Sequence, residues 1–340
     1  MKKGFSIIVC CYNSSELLKD TLRSLCSLIT SDDFSAEIII IDNASTDSTS
    51  DFAQKLLNEF KCPFDFRIEY EPIQGLSYAR KKGIEISAYE YILFCDDDNR
   101  LNENYLLNSF SIMENNSEIG ALGGVSEPVS DVAFPEWFED FKQSYSAGKQ
   151  SDSNGEIKSE LHSLWGAGMV LRRKAIEDLY KNGFHSLLSD RTGNALSSGG
   201  DTELCYALRL AGWKIWFDDS LKLRHFLPGR RLTWNYLREL NRGFGRQKIN
   251  FDAYLKNFSS NGKEVMNKDT DWTKRFFFMI KKMRSYGFRK IINFRNHNTG
   301  DPEIIRMEKT IGCMQELLRL KNEYGKMITE TGKSRWIRHK

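Results

Sequence analysis

The chain has 340 residues, 40% of them hydrophobic, which is enough apolar material for one large domain with an extension or for two domains. No apolar run approaches the 18 residues of a membrane-spanning helix, and the seven scattered cysteines lack C-x-x-C spacing, which argues against a zinc site or disulfide framework and fits a reducing cytoplasm. The net charge of +3 conceals an asymmetry, because residues 1–221 carry 21 Lys and Arg against 35 Asp and Glu, whereas residues 222–340 carry 28 against 11.

The first 125 residues alternate between short apolar runs and helix-like segments. The first run, near residues 5–10, follows a basic start but lacks a signal-peptide cleavage pattern, so we predict a strand there. Cap chemistry precedes two helical segments: Asn13 with Glu16 three residues on, and Ser45 or Asp47. Strands are predicted near residues 5–10, 37–41, 66–70, 91–95 and 121–125, and helices near 15–28, 47–60, 76–88 and 103–115. This alternation predicts an α/β fold, a mostly parallel sheet with helices on both faces.

The middle of the chain is less regular. Residues 126–160 contain two prolines and a stretch rich in Ser, Gly, Lys and Asp, which predicts a long surface loop. A strand or hairpin is expected at residues 161–171, where Gly166 and Gly168 permit a close approach of the backbone. The last elements predicted in this part are a helix near residues 202–211 and a strand at 213–217.

Three consecutive aspartates, Asp96, Asp97 and Asp98, follow the buried strand predicted at residues 91–95. The carboxyl ends of strands are where open α/β sheets bind their ligands. Like charges a few ångströms apart repel by about 4 kcal/mol per pair at an effective dielectric constant near 20, and Mg²⁺ or Mn²⁺ would neutralise them. The alternative is a solvated acidic turn.

Five motifs, in order over roughly residues 4–230, resemble those of the family 2 glycosyltransferases. They are Ile8-Val9-Cys10-Cys11-Tyr12-Asn13, Ile41-Asp42-Asn43-Ala44-Ser45-Thr46-Asp47, Gly75-Leu76-Ser77-Tyr78-Ala79-Arg80, Phe94-Cys95-Asp96-Asp97-Asp98-Asn99 and Gly200-Asp201-Thr202-Glu203-Leu204. The resemblance implies the GT-A fold, with a Rossmann-like, mostly parallel central sheet. Many members carry proline where Cys10 stands and an acidic residue where Gly200 stands, but neither change removes a group that the chemistry needs.

The resemblance implies a metal-dependent inverting glycosyltransferase that moves a sugar from a nucleotide-sugar, with UDP-sugars favoured, to a hydroxyl of a glycan acceptor. Many members extend lipid-linked acceptors in surface polysaccharide synthesis. The implied cofactor is Mn²⁺ or Mg²⁺, bound at an Asp-x-Asp motif, and the implied location is the cytoplasm, with the inner face of the membrane as an alternative. The implied catalytic domain, which binds the nucleotide-sugar and catalyses the transfer, is residues 1–230. Beyond it the resemblance implies little, and the charge pattern predicts that residues 231–340 are a basic, mainly helical region that contacts the acceptor or a membrane surface.

By motif position, Asp98 is the expected metal ligand and His225 an additional one, with a structural histidine as the alternative. Asp201 is the expected general base, which must reach the acceptor hydroxyl on the face opposite the leaving nucleotide and so gives inversion. Its alternative role is that of an N-cap aspartate.

The resemblance also places nucleotide-binding residues. Tyr12 would stack on a nucleobase, Asp42 would accept the imino proton of uracil, and Arg80 would reach the uracil or the phosphates. The alternatives are a core tyrosine, a turn aspartate and a solvated arginine. Asp96 or Asp97 would face the ribose or share the metal shell. The full predicted nucleotide-binding set is Cys10, Tyr12, Asp42, Arg80, Asp96 and Asp97.

Three further residues are predicted for the sugar or the acceptor. Trp165 and Gly166 would line the cleft, since tryptophan offers an apolar face for a sugar ring, and a core tryptophan is the alternative. Glu203 would accept a hydrogen bond from the acceptor or face solvent.

The basic second part contains a segment in which Lys/Arg pairs recur at 274/275, 281/282 and 289/290, about two helical turns apart. Apolar residues fall between them: Phe276, Phe277, Ile280, Met283 and Ile291. This basic amphipathic pattern suits an anionic membrane surface. The alternative is a helix that packs its apolar stripe on the catalytic domain. No motif matches a nucleic-acid binder, and no such partner is expected.

Two other functions compete with glycosyl transfer. A phosphohydrolase would need Gly-Thr or a similar pair after a nucleophilic Asp-x-Asp, and Asn99-Arg100-Leu101 does not supply it. A non-catalytic carbohydrate- or membrane-binding module that retains the fold is the second alternative. The sequence contains neither G-x-G-x-x-G nor G-x-x-x-x-G-K-[ST], so dinucleotide and P-loop sites are not predicted.

Overall fold

The computed structural model describes residues 2–188, 199–258, 270–287 and 299–338. Within these ranges nine strands form one sheet. The strands are β1 (Lys2–Cys11), β2 (Ser35–Asp42), β3 (Asp65–Tyr70), β4 (Tyr89–Asp96), β5 (Asn99–Leu101), β6 (Ile119–Val129), β7 (Gly155–Glu156), β8 (Val170–Arg172) and β9 (Lys214–Phe226). Their order is β3-β2-β1-β4-β8-β6-β9-β5, and β7 pairs with β9 at the side.

Helices cover both faces of this sheet. They are α1 (Leu18–Cys26), α2 (Thr49–Glu59), α3 (Leu76–Ile86), α4 (Tyr105–Asn115), α5 (Phe138–Phe141), α6 (Arg173–Lys181), α7 (Gly200–Leu210), α8 (Trp234–Leu255), α9 (Trp272–Ser285), α10 (Pro302–Leu320) and α11 (Tyr324–Gly332). Short 3₁₀ turns span Lys142–Tyr145 and Gly229–Arg231. No helix in the described ranges is long and apolar enough to cross a membrane.

The long pairings of the sheet are parallel. Strands β3, β2, β1 and β4 run parallel to one another, as do β6 and β9, while β8 is antiparallel to both of its neighbours. The register sets Cys10 opposite Asp96 and Cys11 opposite Asp42. The carboxyl ends of β1, β2 and β4 therefore lie side by side, which is the edge where ligands bind in such sheets.

Side chains of the central strand β1 alternate between the two faces. Ile7 and Val9 join one buried cluster with side chains of α1, α2 and α4. Ile8 joins the other, which includes side chains of α3, α6, α7, α8 and α10. This three-layer packing confirms the predicted α/β fold, and it explains why the strand sequences are nearly continuous apolar runs.

The predicted strands and helices of the first 125 residues are confirmed, but two predicted caps are wrong. Helix α1 begins at Leu18 without a side-chain cap, and Asn13 instead adopts a left-handed conformation with φ of 52°. The cap residue of α2 is Ser48, while the Asp47 carboxylate accepts the Thr49 N–H at 3.0 Å. Both turns pack against each other, because the Ser45 hydroxyl accepts the Asn13 N–H.

The long surface loop predicted at residues 126–160 is wrong. Strand β6 runs on to Val129, α5 follows, and Tyr145, Ala147 and Ile157 are buried. The hairpin predicted at residues 161–171 reduces to the short strand β8. Short elements with few apolar residues give weak periodicity, which is why composition favoured a loop.

The C-terminal helices pack on the sheet domain through α8 and α10. The two helices cross at glycines: a Cβ on Gly312 would lie 2.0 Å from the carbonyl oxygen of Arg242, and one on Gly245 would lie 2.0 Å from that of Lys309. Beside the crossing, the fully buried Glu308 pairs with Arg238 and Arg242 at 2.8 and 2.7 Å. The apolar cluster that holds Ile8 continues into these helices, and the division into domains at residue 230 stays a prediction.

Gly312→Ala is expected to destabilise the protein by about 2 kcal/mol, because backbone must move to admit the methyl group. Thermal unfolding would measure this as a lower Tm. Gly200→Ala is the control, since a Cβ there meets nothing within 4 Å, and it should leave Tm unchanged or slightly higher. An unchanged Tm for Gly312→Ala would show that α8 and α10 do not cross this closely.

Candidate active site

The aspartate run leaves the end of β4 and enters the short strand β5. Because β5 pairs antiparallel with β9, Asn99 lies opposite His225, and this places the imidazole beside the preceding carboxylate. His225 Nε2 is 3.6 Å from Asp98 Oδ1, and Arg231 Nη1 donates to Asp98 Oδ2 at 2.9 Å. The resulting charge cluster of Asp98, His225 and Arg231 is largely closed to solvent, with Asp98 only 5% exposed.

The three aspartates have different protonation behaviour. Burial would raise the pKa of Asp98, but the positive charges of His225 and Arg231 outweigh it and hold that pKa at about 2. Burial and then the charge of Asp98 raise the pKa of Asp97 to about 7, although the Ser14 hydroxyl donates to its carboxylate. Burial also raises the pKa of Asp96, against the charge of Arg80. Asp98 is thus the carboxylate most firmly ionised at neutral pH.

The same cluster fits a divalent cation. Asp98 Oδ1, His225 Nδ1 and both polar side-chain atoms of Asn99 are buried without a hydrogen-bond partner in the described part of the chain. A carboxylate oxygen and an imidazole nitrogen suit Mn²⁺, and the carboxylate alone suits Mg²⁺. Within the described ranges, no group of three or more His, Cys, Asp or Glu side chains lies close enough together to hold a metal ion. The remaining ligands would have to be phosphate oxygens and water, as is common for Mg²⁺.

Asp201 lies in the first turn of α7. Gly199 is the cap residue of that helix, with φ of 113°, so the alternative of an N-cap role for Asp201 is wrong. Two backbone groups orient its carboxylate: Gly166 N–H donates to Oδ2 at 2.7 Å and Thr202 N–H donates to Oδ1 at 2.9 Å. The side chain stays partly exposed. A carboxylate fixed in this way is suited to accept a proton from a bound hydroxyl.

Arg80 lies near both Asp96 and the loop that binds Asp201. Its guanidinium lies 4.8 Å from the centre of the Phe94 ring and lowers the pKa of Asp96, after the larger and opposite effect of burial. Its Nη2 also lies close to Gly166, where a Cβ would come within 2.4 Å of it. The alternative of a solvated arginine is therefore wrong, and the Arg80 charge lies between Asp96 and the loop that holds Asp201.

Trp165 precedes this glycine and is only partly buried, so it is not a core tryptophan. Its backbone N–H donates to the Gln150 side chain. Part of the indole surface is therefore open to solvent, one residue before the Gly166 N–H that donates to Asp201, and an acceptor or donor sugar could cover it.

The predicted nucleobase contacts lie at the ends of β1 and β2. Tyr12 is 41% exposed, so it is not a core tyrosine, and its hydroxyl accepts from Gln74 at 3.3 Å. Asp42 is buried and forms the turn that was its alternative role: Ser45 N–H and the Ser50 hydroxyl donate to its two oxygens. A carboxylate has about four acceptor positions, so these bonds leave capacity for a base. Cys10, at the end of β1, is half-buried.

Glu203 is not at the surface of the cleft. It is 1% exposed, and its oxygens accept hydrogen bonds from the Ser186 hydroxyl, the Leu187 N–H and the Tyr254 hydroxyl. The alternative that it faces solvent is wrong. The predicted contact with an acceptor stays a prediction, and three hydrogen bonds already use most of the about four acceptor positions of the carboxylate. Burial raises its pKa. Glu203 instead ties α7 to α8 and to the segment that follows α6.

Arg231 was not predicted from the sequence. The residue lies in the 3₁₀ turn after β9, and the Tyr145 hydroxyl donates to its carbonyl oxygen at 3.1 Å. The only signal was the pair Arg230-Arg231 a few residues after His225. Ser14 was also missed, because its contact with Asp97 depends on the turn between β1 and α1.

Comparison with known proteins identifies a family. A family model described as "Glycosyl transferase family 2" matches residues 6–180, just over half of the chain. The chain is 33% identical over 126 residues to poly-beta-1,6-N-acetyl-D-glucosamine synthase of Staphylococcus epidermidis, a match that covers 36% of this chain and 28% of that protein. It is 25% identical over 239 residues to the succinoglycan biosynthesis protein ExoM of Rhizobium meliloti (strain 1021), which covers 69% and 71%. The chain thus spans little more than a quarter of the synthase.

Solved structures show the same fold at low identity. S. aureus TarS 1-349 in complex with UDP has a TM-score of 0.51 and 14% identity, covering 98% of this chain and 89% of that one. The mannosyltransferase PcManGT from Pyrobaculum calidifontis, in complex with GDP-Man and Mn²⁺, has a TM-score of 0.53 and 12% identity, covering 97% and 74%. The sheet, its helices and the family match together lead to one assignment: the chain belongs to glycosyl transferase family 2 and has the GT-A fold.

Proposed function

We propose that the protein transfers a sugar, with inversion at the anomeric carbon, from a UDP-sugar to a hydroxyl of a glycan acceptor, and that it needs a divalent cation. The observation that carries the proposal is that Asp96 feels the charges of both His225, in the cluster with Asp98 and Arg231, and Asp201, whose carboxylate is fixed by Gly166. The cluster suits a diphosphate with its cation, and Asp201 suits an acceptor hydroxyl. The sugar would lie between the two.

The nucleoside would bind at the ends of β1 and β2. Tyr12 offers an exposed ring for stacking, and Asp42 offers a carboxylate fixed by two hydrogen bonds for the base. Cys10, Arg80, Asp96 and Asp97 would complete the nucleotide site, with one of the two aspartates toward the ribose. UDP in the TarS complex supports a uridine donor, whereas GDP-Man in the PcManGT complex is the alternative.

Asp98 and His225 would hold the cation. When bound, it neutralises the negative charge that develops on the departing diphosphate. Arg231 would add a second positive charge on the same side, since its guanidinium already lies 2.9 Å from Asp98. The Mn²⁺ of the PcManGT complex supports this choice of metal.

Asp201 would take the proton of the acceptor hydroxyl. Its two backbone hydrogen bonds fix the carboxylate without using all of its acceptor positions. Attack from this side, opposite the diphosphate, gives inversion in a single displacement. Trp165 and Gly166 would line the path of the acceptor.

The names of the relatives support a role in surface polysaccharide synthesis. One is a poly-N-acetylglucosamine synthase and the other a succinoglycan biosynthesis protein. Extension of a lipid-linked glycan is the acceptor chemistry that we propose, at the cytoplasmic face of the membrane.

A thermal-shift screen with UDP-, GDP-, dTDP- and CMP-sugars tests the donor and the metal together. We expect UDP-sugars with Mn²⁺ to raise Tm, since a ligand at 100 times its Kd adds about 2.7 kcal/mol of stability. Mn²⁺ alone and each donor with a chelator are the controls and should give smaller shifts. A larger rise in Tm with GDP-sugars than with UDP-sugars would overturn the uridine assignment. If none of the donors changed Tm, the proposed reaction would be overturned.

A further inference from the structure

Three lysines from three different helices come together on the surface of the C-terminal region. Lys248 lies on α8, Lys282 on α9 and Lys309 on α10. All three lysines are exposed, and α10 packs against both α8 and α9. Partial burial, followed by the charges of Lys248 and Lys282, lowers the pKa of Lys309, which agrees with this placement. None of the three has a carboxylate partner in the described residues. A like-charged cluster without counter-ions favours an anionic partner.

Helix α9 borders this lysine cluster and has two distinct sides. One side packs inward: Met279 is buried, Trp272 and Phe276 pack against the apolar core, and Arg275 makes a two-bond pair with the buried Asp252 at 2.8 and 3.0 Å. The Tyr324 hydroxyl donates to the same carboxylate at 2.8 Å. These contacts fix the rotation of α9, so its outward side is set by the fold.

The outward side of α9 combines exposed phenyl rings with cations. Phe277 is 67% exposed and Phe278 is 55% exposed. Lys281 lies four residues after Phe277, and Lys282 lies four residues after Phe278, so each lysine shares a face of the helix with its phenylalanine. Arg284 is also exposed nearby. The described residues provide no carboxylate partner for Lys281 or Arg284 either.

We propose that the outward side of α9, together with Lys248 and Lys309, forms a docking surface for an anionic lipid bilayer. Exposed phenyl rings bury apolar surface when they enter the boundary between headgroups and acyl chains. The flanking lysines would then contact the lipid phosphates. The surface needs the whole C-terminal fold, since the lysines come from three helices. Residues 289–292 of the predicted basic segment lie outside the described residues, and the inference does not use them.

The docking surface goes beyond the proposed reaction, because it contains no residue assigned to donor, metal or acceptor. The basic stripe predicted from sequence is corrected in one respect. Of its residues, Phe276 packs inward beside the buried Met279, as the packing alternative predicted, whereas Phe277 points outward with Phe278 and the lysines. The interior and the proposed membrane contact thus use opposite sides of one helix.

Co-sedimentation of the full chain with vesicles tests the inference without donor or acceptor. Vesicles of equal parts phosphatidylcholine and phosphatidylglycerol should bind the protein at least tenfold more tightly than phosphatidylcholine alone, and binding should weaken as salt is raised. Phe277→Ser with Phe278→Ser, and separately Lys281→Glu with Lys282→Glu, should each reduce that binding about tenfold.

Matched variants in the acidic residues 1–221 test whether the loss of any exposed apolar or positive side chain weakens vesicle binding. Ile29, which is 41% exposed, and the exposed Lys55 supply Ile29→Ser and Lys55→Glu, which should bind vesicles like the parent protein. An unchanged Tm and an unchanged shift with UDP and Mn²⁺ would show that the α9 variants are folded, whatever the donor screen shows for the reaction. Equal binding to both vesicle types, or full binding by the α9 variants, would overturn the inference. So would an oligonucleotide that displaces the vesicles while the phenylalanine variant binds it normally, since that pattern indicates a nucleic-acid surface.

Discussion

Asp201→Asn is expected to abolish sugar transfer while leaving nucleotide binding intact. Asparagine keeps the shape of the side chain and one oxygen that can accept the Thr202 or Gly166 N–H, but it cannot take a proton from the acceptor. Loss of a general base costs roughly 10²–10⁴-fold in rate. Turnover with the best donor, and calorimetry with UDP and Mn²⁺, would measure the two effects separately.

The result has a specific control on the same helix. Thr202→Ala removes a hydroxyl that lies 2.9 Å from the Ser163 hydroxyl but leaves the Asp201 carboxylate and its backbone donors in place. We expect at most a small loss of rate for this variant. If Asp201→Asn kept more than a tenth of the parent rate, another group would have to be the base.

The arrangement of the strand ends was predictable because it follows from local rules. Successive β-α-β units place the carboxyl ends of parallel strands at one edge of the sheet. Cys10, Asp42 and Asp96 therefore meet there, as the observed register of β1 with β2 and β4 shows. His225 required the family resemblance, since nothing local in β9 indicates its antiparallel pairing with the three-residue strand β5.

Other features depend on contacts between distant segments, and the sequence carries little or no signal for them. Glu203 is buried because Tyr254, 51 residues later, donates to it from α8. Arg231 reaches Asp98, 133 residues earlier, only because a 3₁₀ turn follows β9. Residues 126–160 form short elements whose buried side chains are too few to give a period. Such contacts are set by tertiary packing, which propensity and periodicity do not encode.

Arg231→Gln is expected to raise the affinity for Mn²⁺ and to lower the affinity for UDP. In this structure the guanidinium occupies Asp98 Oδ2 at 2.9 Å, so it competes with a cation for that carboxylate. Without it, Mn²⁺ alone should bind more tightly, whereas UDP should bind more weakly because a positive charge near its phosphates is lost. Each change should be roughly tenfold, about 1.4 kcal/mol, as for a charge-assisted contact.

Calorimetry with Mn²⁺ alone, and with UDP at saturating Mn²⁺, distinguishes the two effects without any turnover. Arg230→Gln is the matched control, because Arg230 is the exposed neighbour in the same turn and should leave both affinities unchanged. Asp98→Ala should instead weaken Mn²⁺ and UDP together, since it removes the carboxylate that both Arg231 and the cation use. A weaker affinity for both ligands in Arg231→Gln would mean that the arginine supports Asp98 rather than competes for it. Opposite signs would mean that the Asp98–Arg231 pair opens when the cation and diphosphate bind together.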